Sequence, residues 1–174
     1  MKRALVVGGT GMLKEATIWL HHQGYRVSVI GRSHEKMDKL IQLAEHPKLI
    51  EPLLVDYKKD TELKSTISHS IEDNGGYDLV IAWIHSDAPQ ALNIIIECLH
   101  KDKKWSLFHV LGSSTDLDEI DQTVKRPLNG RYHQVQLGFI KKGNSTRWLT
   151  HKEISTGVID AIKNNEKRHV VGQL

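Results

Sequence analysis

An apolar run, Ala4 to Val7, breaks at once into Gly8-Gly9-Thr10-Gly11 and then into a stretch with helical spacing. No other feature constrains the fold of this chain more. Glycines clear side chains from a turn so that a diphosphate can approach the backbone, and the following helix aims its unpaired N–H groups at that anion. A lone glycine turn specifies little. Placed at the head of alternating strands and helices, it predicts the first βα unit of a nucleotide-binding sheet.

That alternation is present. Residues 3–7 read as a first strand, and a helix runs to about Gln23 with Met12, Ala16, Trp19 and Leu20 along one face. Gly24 stops it, and Tyr25 to Ile30 form a second strand. Ser33 or His34 opens a second helix with Met37, Leu40, Ile41 and Ala44 as its stripe, and Pro47 ends it. Leu49 to Val55 is a third strand; its Pro52 cannot donate to a ladder and suits the edge of a sheet. A helix over Asp60 to Glu72, a turn at Asn74-Gly75-Gly76 and a strand over Asp78 to Ile84 follow. Pro89 opens a fourth helix to about His100, and Trp105 to Leu111 is a fifth strand.

Beyond Leu111 the pattern loosens. Gly112 to Gly130 is polar, and its acidic group (Asp116, Asp118, Glu119, Asp121) reads as a solvated loop. Tyr132 to Ile140 reads as a sixth strand. Thr150 and Glu153 form a capping-box pair before a last helix that buries Ile154, Val158, Ala161 and Ile162. His169 to Val171 makes a short final strand. The chain is thus expected to be a single doubly wound α/β domain with a mainly parallel sheet and helices on both faces.

Composition removes several functional classes. The net charge is +3 over 174 residues and the basic residues are scattered, which gives no footprint for nucleic acid or an anionic membrane. No run of 18 apolar residues exists, and the first strand begins almost at Met1, so a cytoplasmic location is expected. The eleven histidines include no i, i+4 pair and no Cys/His cluster, so no metal site is expected, and Cys98 reads as helix core.

With these elements in place, the chain resembles the short-chain dehydrogenase/reductase family over nearly its whole length. The turn Gly8-Gly9-Thr10-Gly11 is similar to that family's nucleotide loop, and Asp56 matches the acidic residue that contacts adenine there. Leu79 to Trp83 falls where the family carries Asn-Asn-Ala-Gly, of which only Ala82 is kept. Ser113 and Ser114 sit where its catalytic serine is expected. Gln136 to Ile140 and Trp148-Leu149-Thr150 resemble its later segments. The resemblance implies a dinucleotide held at Gly8, Thr10, Gly11, Met12 and Ala82, and a small-molecule substrate with a carbonyl or similar acceptor.

Two departures stand out. The third glycine of the fingerprint is Lys14, so either the helix is displaced or Lys14 faces outward. The family's Tyr-x-x-x-Lys pair, in which the lysine lowers the tyrosine pKa for proton transfer, has no counterpart: residues 115–131 contain no tyrosine and one lysine, Lys125. The candidates left for a proton donor are His85, Tyr132 and His133, with Ser113 as a substrate contact; a structural role for Tyr132 is the competing reading. After the second strand, Arg32 stands where an acid would select NAD. Its planar cationic fork suits a 2′-phosphate, with Ser33 and Lys36 nearby, which points to NADP. Two functions remain open: an NADP(H)-dependent oxidoreductase without the Tyr/Lys pair, or a non-catalytic NADP(H)-binding sensor or partner-binding protein. Any homo-oligomer would have to use a face other than the family's usual helix.

Overall fold

Arg3–Val7 is buried along its whole length and forms β1, an inner strand of the sheet. The computed structural model describes residues 1–174. β1 is followed by α1 (Lys14–His22), β2 (Arg26–Gly31), α2 (His34–Gln42), β3 (Ile50–Leu54), α3 (Asp60–Asn74), β4 (Leu79–Trp83) and α4 (Ala91–Cys98). Then come β5 (Trp105–Leu111), α5 (Leu117–Thr123), β6 (Gly130–Leu137), β7 (Phe139–Lys142), β8 (Ser145–Trp148), α6 (His151–Asn164) and β9 (Arg168–Val171). Seven strands are ordered β3-β2-β1-β4-β5-β6-β9, and every adjacent pair is parallel. The chain winds outward from β1 to β3, then crosses back to β4 on the other side of β1. That reversal opens a crevice beyond the carboxyl ends of β1 and β4.

Alternation along the strands splits the core in two. Ala4, Val6, Val27 and Val29 meet α1, α2 and α6 on one face. Leu5, Val7, Val80 and Ala82 meet α3 and α4 on the other. β3 lies at the sheet edge, where Pro52 leaves no missing ladder bond in the interior. No helix is long and apolar enough to cross a membrane.

At the amino end of the sheet, opposite the crevice, Arg3 is 3 % exposed. Its guanidinium donates to the hydroxyls of Ser28 (3.0 Å) and Ser70 (2.8 Å), to the Gly75 carbonyl and to Glu51 (3.3 Å), and it lies over the Tyr77 ring. A cation this deep persists because its donors are shared among so many acceptors.

The structure differs from the sequence reading in the second half. Residues 117–123 form α5 instead of a loop: Asp116 caps it, accepting from the N–H groups of Asp118 and Glu119, while Arg168 pairs with Asp118 and Arg126 with Asp121. The sixth strand ends at Leu137. Gly138 breaks it, and residues 139–148 fold back as the β7–β8 hairpin through Gly143-Asn144, with Gly143 at φ +56°. In the first helix Ala16, Thr17 and Leu20 are wholly buried, as is Leu13 at its N-cap, with Met12 and Trp19 only partly covered.

Candidate functional site

The glycine turn lies at the crevice. Gly8 has φ +92°, a conformation that favours glycine, and a Cβ there would stand 3.3 Å from the Trp83 Cβ. Gly9 is closed in more tightly: a Cβ would come within 2.7 Å of Thr17 Oγ1 and 3.0 Å of both Val6 and Val29. Gly11 is the opposite case, with no atom within 4 Å of the position its Cβ would take. One glycine therefore seats the turn against the helix and sheet, and another leaves its outer surface open. The N–H groups of Thr10 and Met12 find no acceptor in the protein. Free donors on an open backbone surface are what an anion needs.

The turn is held from two sides. Thr17 donates to the Leu13 carbonyl at 2.9 Å, and Ser155 of α6, 1 % exposed, donates to the Met12 carbonyl at 2.8 Å. Lys14 is exposed, so of the two alternatives the outward one is observed. The close helix–strand approach that a third glycine would serve is made at Gly9 instead.

At the β2 end, Thr10 packs against Gly31, next to Arg32. The Arg32 side chain is 69 % exposed, and its nearest ionic partner is Asp56 at 3.9 Å, beyond hydrogen-bond length. Asp56 itself accepts from the Lys58 N–H at 3.0 Å. Ser33 is the N-cap of α2, accepting from the Lys36 N–H at 3.2 Å, which leaves its own proton free to donate.

Two cavities open near the crevice, only the smaller of them touching the turn, and Trp83 and Gly112 line both. The smaller, about 190 Å³, is walled by Met12, Ser113, Leu137, Gly138, Trp148 and Ile154 among others. The larger, about 540 Å³, lies between the start of α4 and α5, over the ends of β4 and β5.

The fold has close counterparts among solved structures. A short-chain dehydrogenase/reductase of the glucose/ribitol dehydrogenase type from Brucella melitensis superposes with a TM-score of 0.73 at 12 % identity, covering 98 % of this chain and 94 % of its own. An alcohol dehydrogenase from Thermococcus sibiricus, solved with 5-hydroxy-NADP, gives 0.72 at 13 %, over 99 % and 96 % of the two chains. A β-ketoacyl-[ACP] reductase from Bacteroides thetaiotaomicron gives 0.72 at 16 %, over 100 % and 96 %. The chain has the short-chain dehydrogenase fold. The likeness is one of architecture; the sequence matches no protein-family model and no curated protein.

Within the short-chain dehydrogenase fold the expected residues separate into groups. Gly8, Thr10, Gly11 and Met12 lie in one turn; Thr10 packs on Gly31 next to Arg32 and Ser33, and Arg32 lies 3.9 Å from Asp56. Ala82 does not reach the turn with its side chain, being wholly buried in the α3–α4 core; half-buried Trp83 is the residue that meets it. His85, Ser113 and Tyr132 are not brought together. His85 is exposed on the rim of the larger cavity, where its backbone N–H donates to the Tyr57 hydroxyl at 3.2 Å. Ser113 lines the smaller cavity. Tyr132 is 8 % exposed on β6, and burial pushes its phenol up to about 12, the wrong direction for easy proton release. Its hydroxyl lies 2.6 Å from His109 Nδ1. His133 is buried on the opposite face, stacked on Phe108 with Nδ1 2.7 Å from the Glu166 carbonyl, and burial lowers its pKa.

Sequence reasoning overlooked His109, Gln134, Gln136 and Ser155. His109 lies inside an apolar strand and Ser155 in the middle of a helix, so neither carries a local signal. The exposed Trp148 forms an outer wall of the smaller cavity, with its ring 4.9 Å from Phe139.

Proposed function

We propose that this protein binds NADP(H) and acts as an oxidoreductase on a small carbonyl compound or similar acceptor without a Tyr-x-x-x-Lys pair. The observation that carries the reading is the turn at Gly8 to Met12. Its outer face is open at Gly11, its Thr10 and Met12 N–H groups are free, and it adjoins Arg32 on one side and an apolar cavity on the other.

These residues fit a dinucleotide in their donor chemistry. The free N–H groups of the turn suit its diphosphate, and Arg32, with Ser33 donating, suits a 2′-phosphate because its fork is not consumed by Asp56. Asp56, beside Arg32, offers a carboxylate for the adenosine end. The smaller cavity, apolar but for Ser113, suits a planar ring and keeps water away from it. When bound, the nicotinamide supplies a hydride to a carbonyl carbon or removes one from an alcohol. Ser113 would hold the substrate oxygen. The proton comes from His85 at the rim or from water, since Tyr132 is sequestered. The substrate is small, no nucleic acid or membrane takes part, and the protein works in the cytoplasm.

Calorimetry with NADPH and NADH tests this reading directly. NADPH should bind more tightly, and Arg32→Ala should weaken NADPH by about 1.5–3 kcal/mol, the scale of a charge-assisted hydrogen bond, while sparing NADH. Equal affinities unaffected by Arg32→Ala would remove NADP from the proposal, and no binding of either would remove the cofactor altogether. A non-catalytic NADP(H) sensor is the second reading. It is favoured by one observation: Tyr132 is buried against His109 and lines neither cavity. Binding without any turnover of carbonyl substrates is its signature.

A further inference from the structure

The larger cavity has a floor that the reading above does not use. His109 projects from β5 and is 7 % exposed, yet it lines this cavity. Its Nδ1 lies 2.6 Å from the Tyr132 hydroxyl. Its Nε2 makes no hydrogen bond in the protein and is not among the nitrogens sealed away without a partner, so it faces the cavity.

The neighbouring bonds fix which nitrogen carries the proton. Gln134 Nε2 donates to the Leu117 carbonyl at 2.9 Å, which settles the orientation of that amide. The same amino group stands 3.4 Å from the Tyr132 oxygen, which accepts from it. The phenol proton then has one acceptor within reach, His109 Nδ1; if Nδ1 were the donor, a buried O–H would have no partner. His109 therefore accepts at Nδ1 and carries its hydrogen on Nε2. Burial keeps the imidazole uncharged at neutral pH, pushing its pKa down to about 4.

The rest of the lining defines what meets this donor. None of the residues around the cavity is Lys, Arg, Asp or Glu. Asn93 is committed on both sides, donating to the Thr123 carbonyl and accepting from the Lys125 N–H, and the Thr123 hydroxyl donates to the Ile120 carbonyl. What remains is apolar wall from Trp83, Ile84, Leu92, Val110, Ile120 and Val124, with exposed His85 and Ser86 and half-buried Thr115 also on the lining and His109 Nε2–H as the one deeply buried donor. A volume of about 540 Å³ is of small-molecule size.

We propose that this cavity binds an uncharged, largely apolar carbonyl compound whose oxygen accepts a hydrogen bond from His109 Nε2–H. An anion would enter with no cation to meet it. A pure hydrocarbon would leave the buried N–H unpaired, and a bound carbonyl satisfies it. The binding stands without the cofactor; only its role as the substrate site of the oxidoreductase rests on the NADP(H) reading.

The test is a titration of the 15N-histidine-labelled protein, observed through long-range 1H–15N correlations, with acetophenone, ethylbenzene and benzoate. Before ligand, His109 should show a protonated Nε2 and an unprotonated Nδ1. Acetophenone should shift the Nε2 resonance and bind about five- to tenfold more tightly than its oxygen-free analogue ethylbenzene, and benzoate should bind no better than ethylbenzene. His109→Phe should bring acetophenone down to the ethylbenzene level. The double variant with Tyr132→Phe removes the orphaned phenol and should behave the same. An Nδ1-protonated His109, equal binding of acetophenone and ethylbenzene, or an unmoved His109 overturns the proposal. NADPH calorimetry on the same sample reads the cofactor proposal separately, so either can fail while the other stands.

Discussion

Gly9 and Gly11, two residues apart in one turn, should fail in different ways when each is replaced by alanine. A methyl at Gly9 would arrive 2.7 Å from Thr17 Oγ1 and 3.0 Å from Val6 and Val29. None of the three can withdraw cheaply. All are wholly buried and β-branched, and Thr17 is also held by its bond to the Leu13 carbonyl. Overpacking of this kind costs about 1–3 kcal/mol. At roughly 2–4 °C per kcal/mol for a domain of this size, the melting temperature should fall by about 2–12 °C. Gly11→Ala meets nothing within 4 Å and requires no left-handed φ, so stability should stay within about 0.5 kcal/mol. Its methyl would stand on the outer surface of the turn, beside the free N–H groups of Thr10 and Met12, and NADPH affinity should drop at least tenfold. Urea unfolding and calorimetry measure the two effects. Adding Thr17→Ala to Gly9→Ala removes the nearest clash, and the pair should show a favourable coupling of about 0.5 kcal/mol or more. Equal destabilisation by the two alanines, or a neutral Gly9→Ala, would refute the division of labour between these glycines.

Arg3→Met should destabilise by about 3–5 kcal/mol in urea unfolding, because it leaves Glu51, Ser28 and Ser70 without their shared cation; a loss below about 1 kcal/mol would mean water replaces it. Stability should also fall on mild acidification. His109 titrates at about 4 in the folded protein against an ordinary 6.5, so the unfolded chain takes up the proton first. Its contribution is intact above pH 6.5, is lost as the pH falls towards 4 and changes no further below that, for a total of roughly 3 kcal/mol. Burial lowers the pKa values of His21 and His133 as well, with the same sign. The His109→Phe/Tyr132→Phe protein should show a flatter stability–pH profile over this range, and an unchanged slope would place the effect elsewhere.

The first half of the chain was legible because its signals are local. The glycine turn, the stripe on each helix and the edge position implied by Pro52 all depend on residues within one element or its neighbour. The Thr150–Glu153 capping box formed as its spacing requires. The failures fall where stability comes from afar. α5 has no fully buried residue and is held by Asp116 at its start and by Arg168, which pairs across fifty positions with Asp118. Asp116 with Glu119 three residues later was an available capping signal, outweighed by the polarity of the stretch. The hairpin was also signalled, by Gly143-Asn144 between Phe139-Ile140 and Arg147-Trp148, but Gly138 was absorbed into a strand that continues its apolar run. His109 is different: only the fold sets it beside Tyr132, and no spacing announces the pair.

β6 shows how the two cavities are built. His133, Val135 and Leu137 face the α1–α6 side, so Tyr132, Gln134 and Gln136 must face the other. Two glutamines and a phenol are costly to bury beneath a seven-residue helix unless each is satisfied. They are: the phenol pairs with His109, and the amides find backbone carbonyls of the segment that crosses the strand ends. Gln136 donates to Gly112, Ser113 and Thr115, and Gln134 donates to Leu117. The amides thereby pin residues 112–117 across the top of β6. Pinned there, Ser113 points into the smaller cavity and Thr115 into the larger, with Gly112 and Trp83 as the shared wall. A polar stripe that would otherwise be a liability in the core thus divides the crevice into a compartment beside the glycine turn and a compartment over His109. Apolar replacements at Gln134 and Gln136 would preserve the burial pattern of β6 and release that segment, so they should disturb both cavities at once while leaving the sheet intact.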